Sequence, residues 1–156
     1  MEANIGISTE NTKNIVDILN RLLADEYVLY TKMRNYHWNV TGMQFNDLHK
    51  FFESQYEELD EIIDEVAERS RSLGGKAIAT LSEFVKNSRI KEQPDTYPEA
   101  QTMLRNLLVD HESIIQTLRR DLEICTKLGD AGTSDFLTGL MEQHEKMAWM
   151  LRAFLE

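Results

Sequence analysis

Apolar residues recur along this chain at three- and four-residue intervals, the spacing of one face of an α-helix. Ile15, Leu19, Leu22, Leu29, Met33 and Tyr36 form the first such stripe and predict a helix over about residues 10–38. Thr41-Gly42 interrupts the pattern. It resumes with Leu48, Phe52, Leu59, Ile62 and Val66, which predict a second helix over about 44–73, stopped by Gly74-Gly75. A third stripe of Leu104, Leu107, His111, Ile114, Leu118, Leu122 and Cys125 follows Pro98, which suits a first helical turn, and it stops before Gly129. Asp130 then serves as N-cap for a last helix carrying Leu137, Leu140, His144, Met147, Ala148 and Leu151. Between the second and third stripes, residues 76–97 form a long connection. Thr80-Leu81-Ser82-Glu83 within it is a capping box, starting a short helix that runs to about Asn87. The pattern predicts an all-α four-helix bundle with one long crossover carrying a short helix, so that the second and third helices run parallel. Residues 1–8 read as a short tail before a single domain over 9–156.

Composition changes this picture little and narrows the class. The chain has 156 residues, enough for one domain with a real core, and only 7 Gly and 2 Pro, so long uninterrupted helices are permitted. Nothing resembles a membrane span or a signal peptide, and a single cysteine, Cys125, suits a reducing cytoplasm. The formal net charge of −10 repels nucleic acid and attracts cations. No GxGxxG, P-loop, HExxH or paired CxxC occurs, so dinucleotide, phosphate-loop and zinc readings lack support.

The candidate chemistry lies between His37 and Glu68. At about 100° per residue, His49, Glu53, Asp60 and Asp64 share a face roughly 60° wide on the second helix, with Glu68 at its edge. That face lies about 100° or more from the core stripe, so it points away from the chain's own interior. His49 and Asp64 are separated by about 22 Å of helix, and one metal with bonds of about 2 Å cannot touch both. A second copy of the helix, antiparallel across a two-fold axis, would bring the two ends together and create two equivalent sites. His37, before the turn at Thr41-Gly42, can fold back beside His49. The predicted site therefore takes His37, His49 and Glu53 from one chain and Asp64 and Glu68 from its partner. A bound cation would relieve the repulsion among so many carboxylates. Mixed nitrogen and oxygen ligands suit iron, manganese, cobalt and zinc alike. The chain has no Glu-x-x-His pair, which argues against a di-iron site inside the bundle. His111 and His144, on apolar stripes, read as core or hydrogen-bonded histidines.

His37-Trp38-Asn39-Val40-x-Gly42, Leu48-His49-x-x-Phe52-Glu53 and Asp64-x-x-Ala67-Glu68-Arg69 resemble the signature of the Dps family, the mini-ferritins of starved or oxidatively stressed bacteria and archaea. His144-Glu145-Lys146 and Trp149-Met150-Leu151 extend the resemblance over nearly the whole chain. It implies a ferritin-like four-helix bundle, a cytoplasmic dodecameric shell built from two-fold dimers, and a ferroxidase site between subunits with His37, His49, Glu53, Asp64 and Glu68 as iron ligands. It also implies that Fe(II) is oxidised preferentially by hydrogen peroxide and stored as a ferric oxyhydroxide core. Glu53 departs mildly from the family, many of whose members have Asp there; either supplies an oxygen ligand. Asp60 is not a family ligand and is expected to be a neighbour of the site at most. Trp38 reads either as an aromatic packed at the dimer contact or as an electron donor that intercepts stray oxidising equivalents. Asp121, Glu123, Asp130 and Asp135 surround the last turn, where the family has an acidic three-fold pore for Fe(II). Asp130 and Asp135 read equally as pore residues or as caps and a solvated turn. The rival function is a nucleoid protein that shields DNA by coating it. Acidic charge and the lack of a basic arm put DNA binding in doubt.

Overall fold

Ser8 opens the first helix: its hydroxyl accepts a hydrogen bond from the Asn11 N–H at 3.2 Å, satisfying a donor that the helix itself leaves free. The computed structural model describes residues 3–156. Its elements are five helices, α1 (Thr9–Asn39), α2 (Phe45–Ser72), α3 (Leu81–Asn87), α4 (Ala100–Lys127) and α5 (Ala131–Ala153). α1 packs along α2 and α4 along α5, and the two hairpins meet through contacts of α1 with α4 and of α2 with α5. No helix among the described residues is long and apolar enough to cross a membrane.

The stripes become the core. Ile15, Leu19, Leu22, Leu29 and Met33 of α1, Leu48, Phe52, Leu59 and Val66 of α2, and Leu107, Leu118, Leu137, Met147 and Leu151 of the second hairpin are all fully buried. Burial of each such side chain stabilises the fold by roughly 1.5–3 kcal/mol.

The predicted stops hold. Gly74 and Gly129 have φ of +84° and +85°, the left-handed conformation that ends a helix cheaply only in glycine. Gly75 is needed for a different reason: a Cβ there would sit 2.5 Å from the branched Val16 side chain, so the missing side chain lets the end of α2 seat on α1.

The crossover is pinned rather than loose. Asn20 of α1 donates to the Lys76 carbonyl at 2.9 Å and accepts from the Ile78 N–H at 3.1 Å. α3 starts at the predicted capping box of Thr80 and Glu83, and Phe84 stacks on Tyr27 of α1 with centroids 4.2 Å apart. Further on, buried Asp25 accepts from the Arg89 N–H at 2.5 Å and from its guanidinium at 2.7 Å. One boundary differs from expectation. Pro98 lies ahead of α4 rather than in its first turn. Glu99 is the N-cap, in extended conformation, and its carbonyl accepts from the Met103 N–H. Proline restricts Tyr97, the residue before it, to extended backbone, and Glu99 after it is extended as well, so the helix begins only at Ala100.

Candidate metal centre

The turn from α1 to α2 is short and reverses at Gly42, whose φ of +109° is accessible to glycine at little cost. This reversal lays the last turn of α1 against the first turn of α2. The His37 and His49 rings stack with centroids 3.8 Å apart and planes 19° from parallel. Each ring is held by the other residue's backbone: His37 Nδ1–H donates to the His49 carbonyl at 2.8 Å, and His49 Nδ1–H donates to the His37 carbonyl at 2.9 Å. A carbonyl can only accept, so both Nδ1 atoms carry the proton. In the neutral rings the lone pairs are then on Nε2, the form in which imidazole binds a metal.

Aromatic groups wall the pair. Phe45 stacks on His49 at 5.1 Å, and Tyr56 meets His37 edge-on at 5.2 Å. The Tyr56 hydroxyl donates to Glu53 Oε1 at 3.3 Å, so the half-buried Glu53 carboxylate is held one helical turn from His49. Burial raises the Tyr56 pKa, and the neighbouring Glu53 charge adds to the effect. The Arg34 guanidinium lies over Tyr56 at 4.5 Å, Trp38 at 5.0 Å and Tyr30 at 5.7 Å. Trp38 itself is 64% exposed.

The remaining acids stand apart. Asp60, Asp64 and Glu68 are exposed along unbroken α2. With Phe45–Ser72 a single helix, Asp64 is about 22 Å of helical rise from His49. Among the described residues no three His, Cys, Asp or Glu side chains gather where they could hold a metal ion. One copy thus presents two imidazoles and a carboxylate at one end of α2 and two free carboxylates near the other.

Asp130 caps α5, accepting from the Thr133 N–H at 2.9 Å, and pairs with Arg69 of α2 at 3.0 Å. Burial acts to raise its pKa, but the Thr133 hydrogen bonds and Arg69 outweigh it and hold the carboxyl below its usual value. Both of its oxygens are engaged within the chain, whereas Asp135 is exposed.

A second histidine pair lies inside the bundle. His111 of α4 and His144 of α5 approach Nδ1 to Nδ1 at 2.9 Å, and His144 Nε2 stands 3.0 Å from Glu26 Oε1 of α1, out of line for a hydrogen bond. All three side chains are sealed from solvent. The stripes placed both histidines in the core, but Glu26 was not anticipated. Its signal is position: Glu26 falls on the first apolar stripe, four residues after Leu22 and three before Leu29. Arg34 was also missed as a neighbour of the site. Its signal is spacing, three residues before His37, whereas Tyr56 already shares the helical face of His49, Glu53 and Asp64 in the sequence.

Residues 16–156 match the family described as a ferritin-like domain. A DNA protection during starvation protein of Bacillus anthracis is 43% identical over 144 residues, covering 92% of this chain and 97% of its own. The chain belongs to the Dps family. A low temperature-induced protein of a Nostoc species is 46% identical over 154 residues, covering 98% of this chain and 86% of its own. Among solved structures, the Dps protein of Vibrio cholerae superposes with a TM-score of 0.93 at 34% identity, over 99% of this chain and 97% of that one. It is described as a member of a broad superfamily of ferritin-like diiron-carboxylate proteins. Dps from Thermosynechococcus elongatus gives a TM-score of 0.90 at 34% identity, over 95% and 94% of the two chains. The ferritin-like Dps fold places His37 and His49 at the α1–α2 turn. His49 and Glu53 stand near the start of α2, and Asp64 and Glu68 near its end.

Proposed function

We propose that this protein is a ferroxidase that takes Fe(II) as substrate, oxidises it with hydrogen peroxide, and stores the ferric oxyhydroxide product inside a shell of identical copies. One observation carries the reading: the reciprocal backbone bonds of His37 and His49 direct the lone pairs of two stacked imidazoles to Nε2, with Glu53 one turn away. This donor set fits iron. Two nitrogens and a carboxylate bind Fe(II), and further carboxylates favour Fe(III) as it forms.

The missing carboxylates are Asp64 and Glu68 of a second copy, supplied by antiparallel packing of α2 across a two-fold axis. That dimer holds two equivalent sites, and six such dimers close the dodecamer common to the family. The Vibrio cholerae protein, described as diiron-carboxylate, supports the iron assignment. Within the site the chain's residues have separate tasks. His37 and His49 would hold Fe(II) through Nε2, since their Nδ1–H groups are already bonded to backbone carbonyls that fix the rings. The carboxylates offset the charge gained on oxidation. Hydrogen peroxide takes two electrons, so oxidation in pairs avoids releasing hydroxyl radical. Asp135, exposed near the α4–α5 turn, is the better of the two candidates for a pore that admits Fe(II), since Asp130 is committed to Arg69 and Thr133. A reducing cytoplasm is the compartment that supplies Fe(II) and suits an unpaired buried cysteine.

The rival reading, a protein that coats DNA, draws on the names of relatives such as the Bacillus anthracis protein. Net charge of −10 per copy opposes it, because contact with phosphates needs cations. The deciding experiment is anaerobic loading with Fe(II) followed by hydrogen peroxide, on wild type, His37→Ala and Asp64→Ala. Fast oxidation in the wild type and a large loss in each variant are expected; equal rates in all three would remove the assignment. A gel-shift titration at low salt and neutral pH tests the rival, and tight retention of DNA would promote it.

A further inference from the structure

We infer that Glu26, His111 and His144 form an acid-triggered latch between the two helical hairpins. It holds while the three groups together are neutral and lets go when they take up one further proton. Acid then parts the hairpin of α1 and α2 from that of α4 and α5, short of unfolding the chain.

The three groups cross the seam. Glu26 belongs to α1, His111 to α4 and His144 to α5. His144 Nε2 lies 3.0 Å from Glu26 Oε1, and its Nδ1 lies 2.9 Å from His111 Nδ1. All three side chains are fully buried, and neither Glu26 oxygen nor either Nε2 has a hydrogen-bond partner in the protein. Polar groups so placed weaken a core relative to apolar residues of similar volume. The weak point therefore lies where two separately packed hairpins meet.

One carboxyl and two imidazoles are neutral as a set when Glu26 and His144 hold a single acidic proton between them and His111 adds none. A further proton leaves an uncompensated positive charge, which a sealed interior disfavours. Among the described residues the other buried ionisable groups do not offset it. Asp25 of α1 is bound to Arg89, Lys32 of α1 to Asp110 of α4, and Asp121 of α4 faces Arg89. Tyr36 accepts a hydrogen bond from Asn106, and His37 is bonded at the α1–α2 turn. The Cys125 thiol of α4, pushed up to about 11, is neutral. α2 buries apolar residues, Gln55 and Ser70, α3 buries Phe84, and His144 is the one ionisable residue buried on α5.

The open form takes the extra proton. Burial, and then His144, holds the closed form's His111 well below its ordinary 6.5. In water the imidazole regains that value, so the open form binds more protons as pH falls through 6.5. Opening is then favoured about tenfold more for each further pH unit. Asp110 and Asp121 act the other way. Burial raises both against the pull of Lys32 and Arg89, so they bind protons more readily in the closed form and strengthen it in acid.

Cys125, buried on α4, reports the opening. Iron-free native protein is pulsed with dithiodipyridine, a disulfide reagent that thiols attack even in acid, between about pH 8 and about pH 5. Labelling relative to the unfolded chain at the same pH gives the open fraction. That fraction should be constant above about pH 7 and rise about tenfold per unit below about pH 6.5, staying well above the globally unfolded fraction from denaturant titration. His111→Asn should keep it flat, as should the triple variant Glu26→Leu, His111→Leu, His144→Leu. If the triple variant does not fold, His111→Asn decides alone. A flat fraction in wild type, the same rise in His111→Asn, or an open fraction equal to the unfolded one overturns the latch. Iron is absent throughout, so the latch and the ferroxidase are tested separately.

Discussion

Two histidine pairs in this chain show how placement alone divides structure from chemistry. His37 and His49 stand where α1 turns into α2, and His111 and His144 stand between α4 and α5 in the bundle centre. In the first pair both Nδ1–H groups are bonded to backbone carbonyls, and the Nε2 atoms remain for a ligand. In the second, the two Nδ1 atoms face each other at 2.9 Å, one donating and one accepting, and Glu26 beside His144 is as buried as they are. The first pair is bonded through its inner nitrogens to rigid backbone and is open to a partner. The second bonds only Nδ1 to Nδ1, and both of its Nε2 atoms are buried without a hydrogen-bond partner. Imidazoles in a protein become a metal centre when the fold satisfies one nitrogen of each and leaves the other at a surface.

The largest expected effect falls on the inner pair. His144→Ala leaves the Glu26 carboxyl sealed without the imidazole beside it. It should cost about 3–5 kcal/mol, the usual range for removing one partner of a buried polar pair. Chemical unfolding followed by circular dichroism measures this, and a loss under about 1 kcal/mol would mean that water reaches Glu26. His37→Ala at the outer pair should cost less, about 1–2 kcal/mol for the lost stacking and the bond to the His49 carbonyl, while slowing Fe(II) oxidation by more than the roughly 10–100-fold usual for losing an outer-shell partner of a metal ligand. If stability falls as far as in His144→Ala, the contrast between the pairs is wrong.

Subunit sharing sharpens the same contrast. Refolding a mixture of His37→Ala and Asp64→Ala should restore activity, because mixed dimers contain one site with all its ligands. With random pairing of equal amounts, about half the dimers are mixed, so roughly a quarter of wild-type sites should be regained. No recovery would place the whole ligand set in one chain.

A smaller effect follows from acid. Burial, and secondarily the neighbouring His144, holds the His111 pKa well below its ordinary 6.5. Its imidazole therefore stays neutral in the fold while it protonates in the unfolded chain as pH drops through 6.5. The unfolded state then binds more protons, so stability is fully present above that pH and is lost below it. The slope approaches about 1.4 kcal/mol per pH unit. His111→Asn should flatten this part of the unfolding profile. The smallest effect concerns Cys125, whose thiol is pushed up to about 11, chiefly by burial and then by the charges of Asp130 and Asp121. It should resist alkylation at neutral pH until the protein is unfolded.

Periodicity, glycine stops and the Thr80–Glu83 capping box were enough to lay out the helices, because each is a local property read by neighbouring residues. The distance argument along α2 was equally local, since a helix fixes 1.5 Å per residue whatever surrounds it. The start of α4 was missed by about two residues, since Glu99 takes the cap position without a side-chain cap bond that the sequence could announce. Contacts between elements were another matter. That His37 and His49 tie down each other's Nδ1, that Arg34 lies among Tyr56, Trp38 and Tyr30, and that Asp130 answers to Arg69 all depend on segments brought together by packing. Sequence spacing along one helix cannot show which groups face it from another. The chain's order of residues thus determined the helices and the family of ligands they carry. The tertiary structure alone decided which nitrogen of each histidine is free, because that choice belongs to hydrogen-bond partners distant in sequence.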